Sequence, residues 1–165
     1  MTRRAARLPA ALFACVFTVL AGCGQGEPVQ GTAQTAAPSE PTSLDLGEFQ
    51  LHYNAVRTDM LTPEVARAYD IERSANRVLL NVSLLHENAD GTTSAADGAV
   101  TATAYNLTGQ TKDLTMRRVN EGASIYYIGE VGISGNEILV FDISVVPPGQ
   151  NTRHTVQFKR EFYTD

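Results

Sequence analysis

Cysteine is nearly absent from this 165-residue chain: there are two, Cys15 and Cys23, and there is no tryptophan. Cys15 lies in an apolar leader, so a disulfide framework, a thiol nucleophile and a cysteine metal site are all excluded from the processed chain. Histidine is scarce as well. His52, His86 and His154 stand far apart, with none of the H-x-H or H-x-x-x-H spacing that binds metal. Basic charge is in deficit, with 13 Lys and Arg against 18 Asp and Glu. Arg117-Arg118 is too short to be a basic stripe, so nucleic acid is excluded as a partner. No G-x-S-x-G elbow is present, and Gly132-Ile133-Ser134-Gly135 reads as a turn rather than a phosphate loop. The carboxylates are scattered over polar faces and turns. These absences leave no catalytic constellation, no metal and no cofactor, and the chain is read as non-enzymatic.

What is present begins with an address. Arg3, Arg4 and Arg7 precede an apolar run from Leu8 to Ala21. At about 14 residues that run is shorter than the about 20 needed to cross a bilayer. Positive segment, short apolar run and small residues before a cleavage point form a secretory signal peptide. Leu20-Ala21-Gly22-Cys23 resembles a bacterial lipobox, which implies cleavage before Cys23 and a lipid on its sulfur. Residues 1–22 are therefore read as a lipoprotein signal peptide, and Cys23 as the lipidation site. Several acyl chains give a strong anchor, each buried CH₂ contributing about 0.8 kcal/mol. Gly24, where the sorting rule would place Asp for inner-membrane retention, favours the outer membrane. The expected location is periplasmic and lipid-anchored. Loss of three arginines leaves ten basic residues against 18 acidic ones, so the processed chain carries a net charge of −8.

Residues 23–43 hold the lipidated Cys and a segment rich in Gly, Pro, Gln, Thr, Ser and Ala. It has too little apolar surface to offset the entropy of ordering it and is read as a flexible linker. Twenty such residues span about 25 Å typically and about 70 Å at full stretch.

Residues 44–165 are the size of one domain with one core. Alternating apolar residues separated by turn signals predict seven strands. Phe49, Leu51, Tyr53 and Ala55 share a face of the first. Val78, Leu80, Val82 and Leu84 do so in the second, where Leu79 and Leu85 indicate that both faces are partly covered. Val100, Ala102 and Ala104 mark a third and Leu114 and Met116 a fourth. Ile125, Tyr127 and Val131 mark a fifth, Leu139, Phe141, Ile143 and Val145 a sixth, and Val156, Phe158 and Phe162 a seventh. The expected fold is all-β: a seven-stranded antiparallel immunoglobulin-like sandwich with one short helix between the first two strands. Thr62 as cap, Pro63 at the first helical position and Glu64 at the positive end predict that helix over about 63–69. It is expected as a lid on one end of the sandwich, with Val65, Ala68 and Tyr69 inward.

The stretches His52-Tyr53-Asn54-Ala55, Leu61-Thr62-Pro63-Glu64-Val65-Ala66, Ile71 to Arg77 and Leu80-Asn81-Val82-Ser83 resemble a proteobacterial envelope family. So do Asn106 to Gln110, Ile125-Tyr126-Tyr127-Ile128 and Phe158 to Tyr163. The family is the domain-of-unknown-function family 4426, and the resemblance runs over nearly all of Phe49 to Tyr163. It implies a periplasmic, single-domain, β-rich protein, and it implies no activity, cofactor or partner. The lipobox and linker depart from the family's plainer secreted form.

The polar loop Arg73-Ser74-Ala75-Asn76-Arg77 is the strongest candidate site, because loops on rigid scaffolds carry function. Arg73 and Arg77 could hold a carboxylate or phosphate, with Asn76 beside them. Alternatively they pair with Glu64, Asp70 or Glu72 and fix the helix. Tyr126 and Tyr127 point to opposite faces of one strand, so one of them is exposed or at an interface. Two readings of function are open. One is a binding or accessory module for another envelope protein, with Arg73, Asn76, Arg77 and Tyr126 at its contact surface. The other is a binder of a small anionic ligand or glycan fragment.

Overall fold

A computed structural model describes residues 42–164. The signal segment, Cys23 and the linker up to residue 41 lie outside the described residues. Ten strands and one α-helix are present among the described residues, in the order β1 (Ser43–Asp45), β2 (Phe49–Arg57), a 3₁₀ turn (Thr58–Met60), α1 (Pro63–Ala68), β3 (Arg77–Glu87) and β4 (Thr93–Ala95). Then come β5 (Ala99–Asn106), β6 (Thr111–Lys112), β7 (Arg117–Glu121), β8 (Ser124–Gly132), β9 (Glu137–Val146) and β10 (His154–Phe162). None of the described helices is long and apolar enough to cross a membrane.

The strands form two antiparallel sheets. The first runs β1-β2-β3-β8-β7, with β4 also on β3, and the second runs β10-β9-β5-β6. Strand β3 shares one edge between two partners: Arg77 to Val82 pair with β8, and Leu85 to Glu87 pair with β4. The core lies between the sheets. Leu51, Ala55, Val78, Leu80, Val82 and Leu84 face it from the first sheet, and Leu139, Phe141, Ile143 and Val145 from the second. Aromatic rings join the layers: Phe158 of β10 lies 4.9 Å from Tyr53 of β2 and 5.0 Å from Phe141 of β9, centroid to centroid. Each such side chain, fully buried, contributes about 1.5–3 kcal/mol.

The all-β, two-sheet sandwich is as the alternation predicts, but the strand count is ten, not seven. Six of the seven strands of five or more residues, β2, β3, β5, β8, β9 and β10, are expected ones, and the seventh is β7. The three others, β1, β4 and β6, have two or three residues each. Ser43, placed in the linker by composition, opens β1 and pairs with His52. The fourth expected strand is displaced. Leu114 and Met116 precede β7 and pack on the core as a non-strand segment. They cross the inner face of β8 at Gly129. A methyl group there would lie 2.7 Å from Leu114 Cδ1, 2.8 Å from Met116 Sδ and 3.0 Å from the Thr115 carbonyl oxygen.

The helix is as short as predicted but differently placed. It lies on the outer face of the first sheet rather than over an end. A second apolar cluster forms there from Ala66, Ile71, Leu79 and Ile128, with Val56, Leu61, Tyr69, Val119 and Tyr126 packed against it. Leu79 and Ile128 have the outward parity of their strands, opposite to Val78, Leu80 and Tyr127. Only Ala66 of the helix is buried; Val65 and Ala68 are exposed and Tyr69 is half-buried. A helix of six residues presents one position per turn to a sheet, and here that position is 66.

Candidate functional site: a groove beside the helix

Helix α1 is fixed at both ends by local chemistry. Thr62 Oγ1 accepts a bond from the Val65 amide at 3.3 Å. At the other end Asp70 adopts φ 53°, the Ile71 amide donates to the Ala66 carbonyl at 2.8 Å, and the Asp70 amide donates to the Arg67 carbonyl at 3.3 Å. This is the paired closure of a Schellman motif, with Asp in the left-handed position usually held by Gly. It turns the chain so that Ile71 drops onto the sheet beside Ala66.

Tyr69, the last helical turn's cap, is held by β7. Its hydroxyl donates to Glu121 Oε2, and its carbonyl oxygen accepts from Arg117 Nη2. Hydrogen bonding to the Glu121 carboxylate, with desolvation and the nearby negative charge, pushes the Tyr69 phenol from 10.0 to about 12. Tyr69 is thereby a fixed wall, and a groove of about 200 Å³ opens between it and the sheet. Leu61, Val65 and Ile71 line the helix side, with Leu79, Asn81, Tyr126 and Ile128 on the sheet side. The groove is predominantly apolar. Its polar feature is the Asn81 amide, whose Oδ1 is buried without a hydrogen-bond partner. Asn81 stands mid-sheet, in register with Asn54 on one side and Ile128 on the other.

A second hollow of about 190 Å³ adjoins the first and shares Leu79 and Ile128 with it. Asp113, Thr115, Arg117 and Glu130 make it polar.

Of the residues expected at a site, Tyr126 is in the groove. It is half-buried on the outer face, while Tyr127 is buried in the core, as the opposite parity requires. Arg73, Asn76 and Arg77 do not line it. Arg73 Nη2 donates to the Asp59 carbonyl oxygen at 2.7 Å. Arg77 lies 3.8 Å from Glu72 Oε2 and 3.5 Å from Glu130 Oε2, and Glu72 is one of the partners expected of a loop that fixes the helix. The carbonyl oxygen of Asn76 accepts from the Ile133 amide at 2.9 Å. Their loop is further pinned by Thr58, fully buried, whose hydroxyl accepts from the Ser74 amide at 2.9 Å and donates to the Ser74 carbonyl at 3.1 Å. The loop thus fastens the 3₁₀ turn to the start of β3. Sequence reasoning missed Leu61, Asn81 and Asp113. The signal that pointed to the groove was Leu79, apolar on the wrong parity of its strand.

The described residues thus form an antiparallel β-sandwich with a helix-bordered apolar groove on one outer face. Among the described residues no group of three or more His, Cys, Asp or Glu side chains is placed to hold a metal ion. The chain belongs to the DUF4426 family, described as a domain of unknown function, whose model matches residues 43–165. It is similar to the crystal structure of a DUF4426 family protein from Pseudomonas aeruginosa PAO1, at 32% identity and TM-score 0.62. That match covers 74% of this chain and 94% of the other. Two structures of FetP from uropathogenic Escherichia coli strain F11 share the fold. One, as isolated from periplasmic expression, has 12% identity and TM-score 0.52, covering 73% of this chain and 92% of that one. The other, a copper-bound variant, has 13% identity and TM-score 0.52, covering 73% and 93%. Among the curated proteins none matches the chain.

Proposed function

We propose that this is a periplasmic lipoprotein, anchored through lipid on Cys23, outer membrane favoured, whose domain is a non-enzymatic accessory module for another envelope protein. In this reading the sandwich is an immunoglobulin-like scaffold and the linker displays it some tens of ångströms from the membrane. The observation that carries the partner role is the apolar groove with Val65 40% exposed at its rim. Exposed apolar surface beside a rigid wall is where a soluble domain meets another protein. The lipobox supports the anchor, and the charge of −8 suits an envelope protein rather than an anionic lipid face or nucleic acid as partner.

Photo-crosslinking residues placed at Val65 and, as a control, at Thr101 on the other sheet test the partner role in intact envelopes. A discrete adduct from position 65 and none from 101 is expected; no adduct from any outer position would end the accessory-module reading. Cys23→Ser tests the anchor: the protein should leave the membrane fraction, and retention there would overturn lipidation as the tether.

A further inference from the structure

The two adjoining hollows define what the groove accepts. One is apolar and walled by Tyr69 and Tyr126; the other is polar and holds Asp113 and Glu130 with Arg117. Leu79 and Ile128 form the floor common to both, so a bound segment would cross from one to the other without leaving the sheet. Arg117 is engaged with the Tyr69 carbonyl. Glu130 shares Arg77, and Asp113 has no ion-pair partner among the described residues. Arg117 keeps its charge in its bond to Tyr69, and Arg77 also contacts Glu72. Three carboxylates, Asp113, Glu130 and Glu72, therefore stand against two guanidiniums at and beside the polar hollow, a surplus of one. The two hollows measure about 190 and 200 Å³. Each has the size of a single large side chain, and both are open along the sheet.

The geometry points to a docking site for a partner polypeptide that presents an aromatic residue beside a basic one. The ring lies between Tyr69 and Tyr126, and the Lys or Arg meets Asp113 and Glu130. An indole ring fits the first hollow in size and lies beside Asn81, the side-chain amide in its lining. The assignment rests on the accessory-module reading and supplies the chemistry of its partner. Charge complementarity agrees: a domain this acidic selects a basic segment and repels an acidic one.

The probes are the peptides acetyl-Trp-Lys-amide and acetyl-Trp-Glu-amide and the free amine tryptamine, titrated into the ¹⁵N-labelled full-length protein. The chain has no tryptophan of its own, so indole emission reports the probe alone. The Trp-Lys peptide is expected to shift the amides of Leu79, Asn81 and Ile128, with those of the second sheet unmoved. It should bind at least about threefold more tightly than Trp-Glu, as one exposed ion pair allows. Asp113→Lys, an exposed change, should erase or reverse that preference, and Tyr126→Ala should weaken both peptides. Equal affinity of the two peptides, shifts centred on the second sheet, or no binding overturns the assignment. So does tryptamine binding as tightly as Trp-Lys, which would make the groove a small-amine site. None of these outcomes touches the accessory-module reading, which stands on the crosslinking in the envelope.

Discussion

Arg160 of β10 donates through Nη1 to the carbonyl oxygen of Ala55 on β2, at 2.6 Å and partly buried, and the same nitrogen bonds Asn54 Oδ1. The two strands belong to different sheets, so this bond closes the side of the sandwich. Its cause lies in β1. That strand pairs with β2 only as far as His52, and just beyond it the Tyr53 amide bonds the carbonyl of Thr42 at 2.9 Å. Ala55, two residues on, points its carbonyl to the same edge, where none of the described strands meets it. Arg160 supplies the missing donor, and Arg57 answers from β2 by donating to the Tyr163 carbonyl oxygen.

Arg160→Met keeps the length of the side chain and removes its donors. It should cost about 1–3 kcal/mol, the range for a hydrogen bond from a charged donor to a buried acceptor. Urea denaturation measures it, and a loss under about 0.5 kcal/mol would mean that water replaces the guanidinium at that edge.

Gly129→Ala places a methyl group against the Thr115 carbonyl and the Leu114 and Met116 side chains. The side chains can shift but the carbonyl is backbone. A loss of about 1–3 kcal/mol is expected, typical of overpacking. Combining it with Leu114→Ala and finding the cost unchanged would show that the backbone contact alone sets it.

Asp97 links the chain between β4 and β5 to the first sheet. Arg118 meets it through Nε at 2.8 Å and Nη2 at 2.9 Å, and the Tyr127 hydroxyl lies 2.8 Å from its Oδ1 and 2.6 Å from the Gly98 carbonyl oxygen. The bond from Arg118, then that from Tyr127, hold the Asp97 carboxyl below its usual 3.8. Because the folded value is depressed, the stabilisation is present above the unfolded value near 3.8 and is lost as pH falls through the folded one. Asp97→Asn should therefore flatten the stability profile below pH 3.8 relative to the parent, other carboxylates still contributing. Identical slopes for parent and variant would remove Asp97 from the acid transition.

Tyr69 is the basic counterpart. Its folded value of about 12 lies above the usual 10.0, so its contribution is present below pH 10 and lost as pH rises from 10 through 12. Glu121→Gln should return the phenol toward 10, read from the Tyr69 ring carbon by NMR. A phenol still titrating near 12 in that variant would place the cause in burial rather than in the carboxylate.

Much of the fold is legible in the sequence because a half-buried strand writes its geometry in period two. Leu139, Phe141, Ile143 and Val145 spell β9 without ambiguity. Strands β1, β4 and β6 have too few residues to establish a period, and they exist because β2, β3 and β5 offer them edges. Leu114 and Met116 alternate like a strand but face the core from a segment without a ladder, which local pattern does not distinguish. The loop from Arg73 to Arg77 stands out in the sequence for its charges, and its positions are fastened by Thr58, Asp59, Glu72 and Glu130.

The sequence by itself determined the all-β sandwich, the helix start at Thr62 and Pro63, the opposed faces of Tyr126 and Tyr127, and the shortage of cysteine that throws stability onto the core. These are local or periodic properties, carried by neighbouring residues. Only the tertiary structure decided where α1 lies, because its place depends on Leu79 and Ile128 being adjacent across the β3–β8 ladder. The groove results from that placement. It is assembled from residues as far apart as Leu61 and Ile128, and no spacing along the chain encodes their meeting.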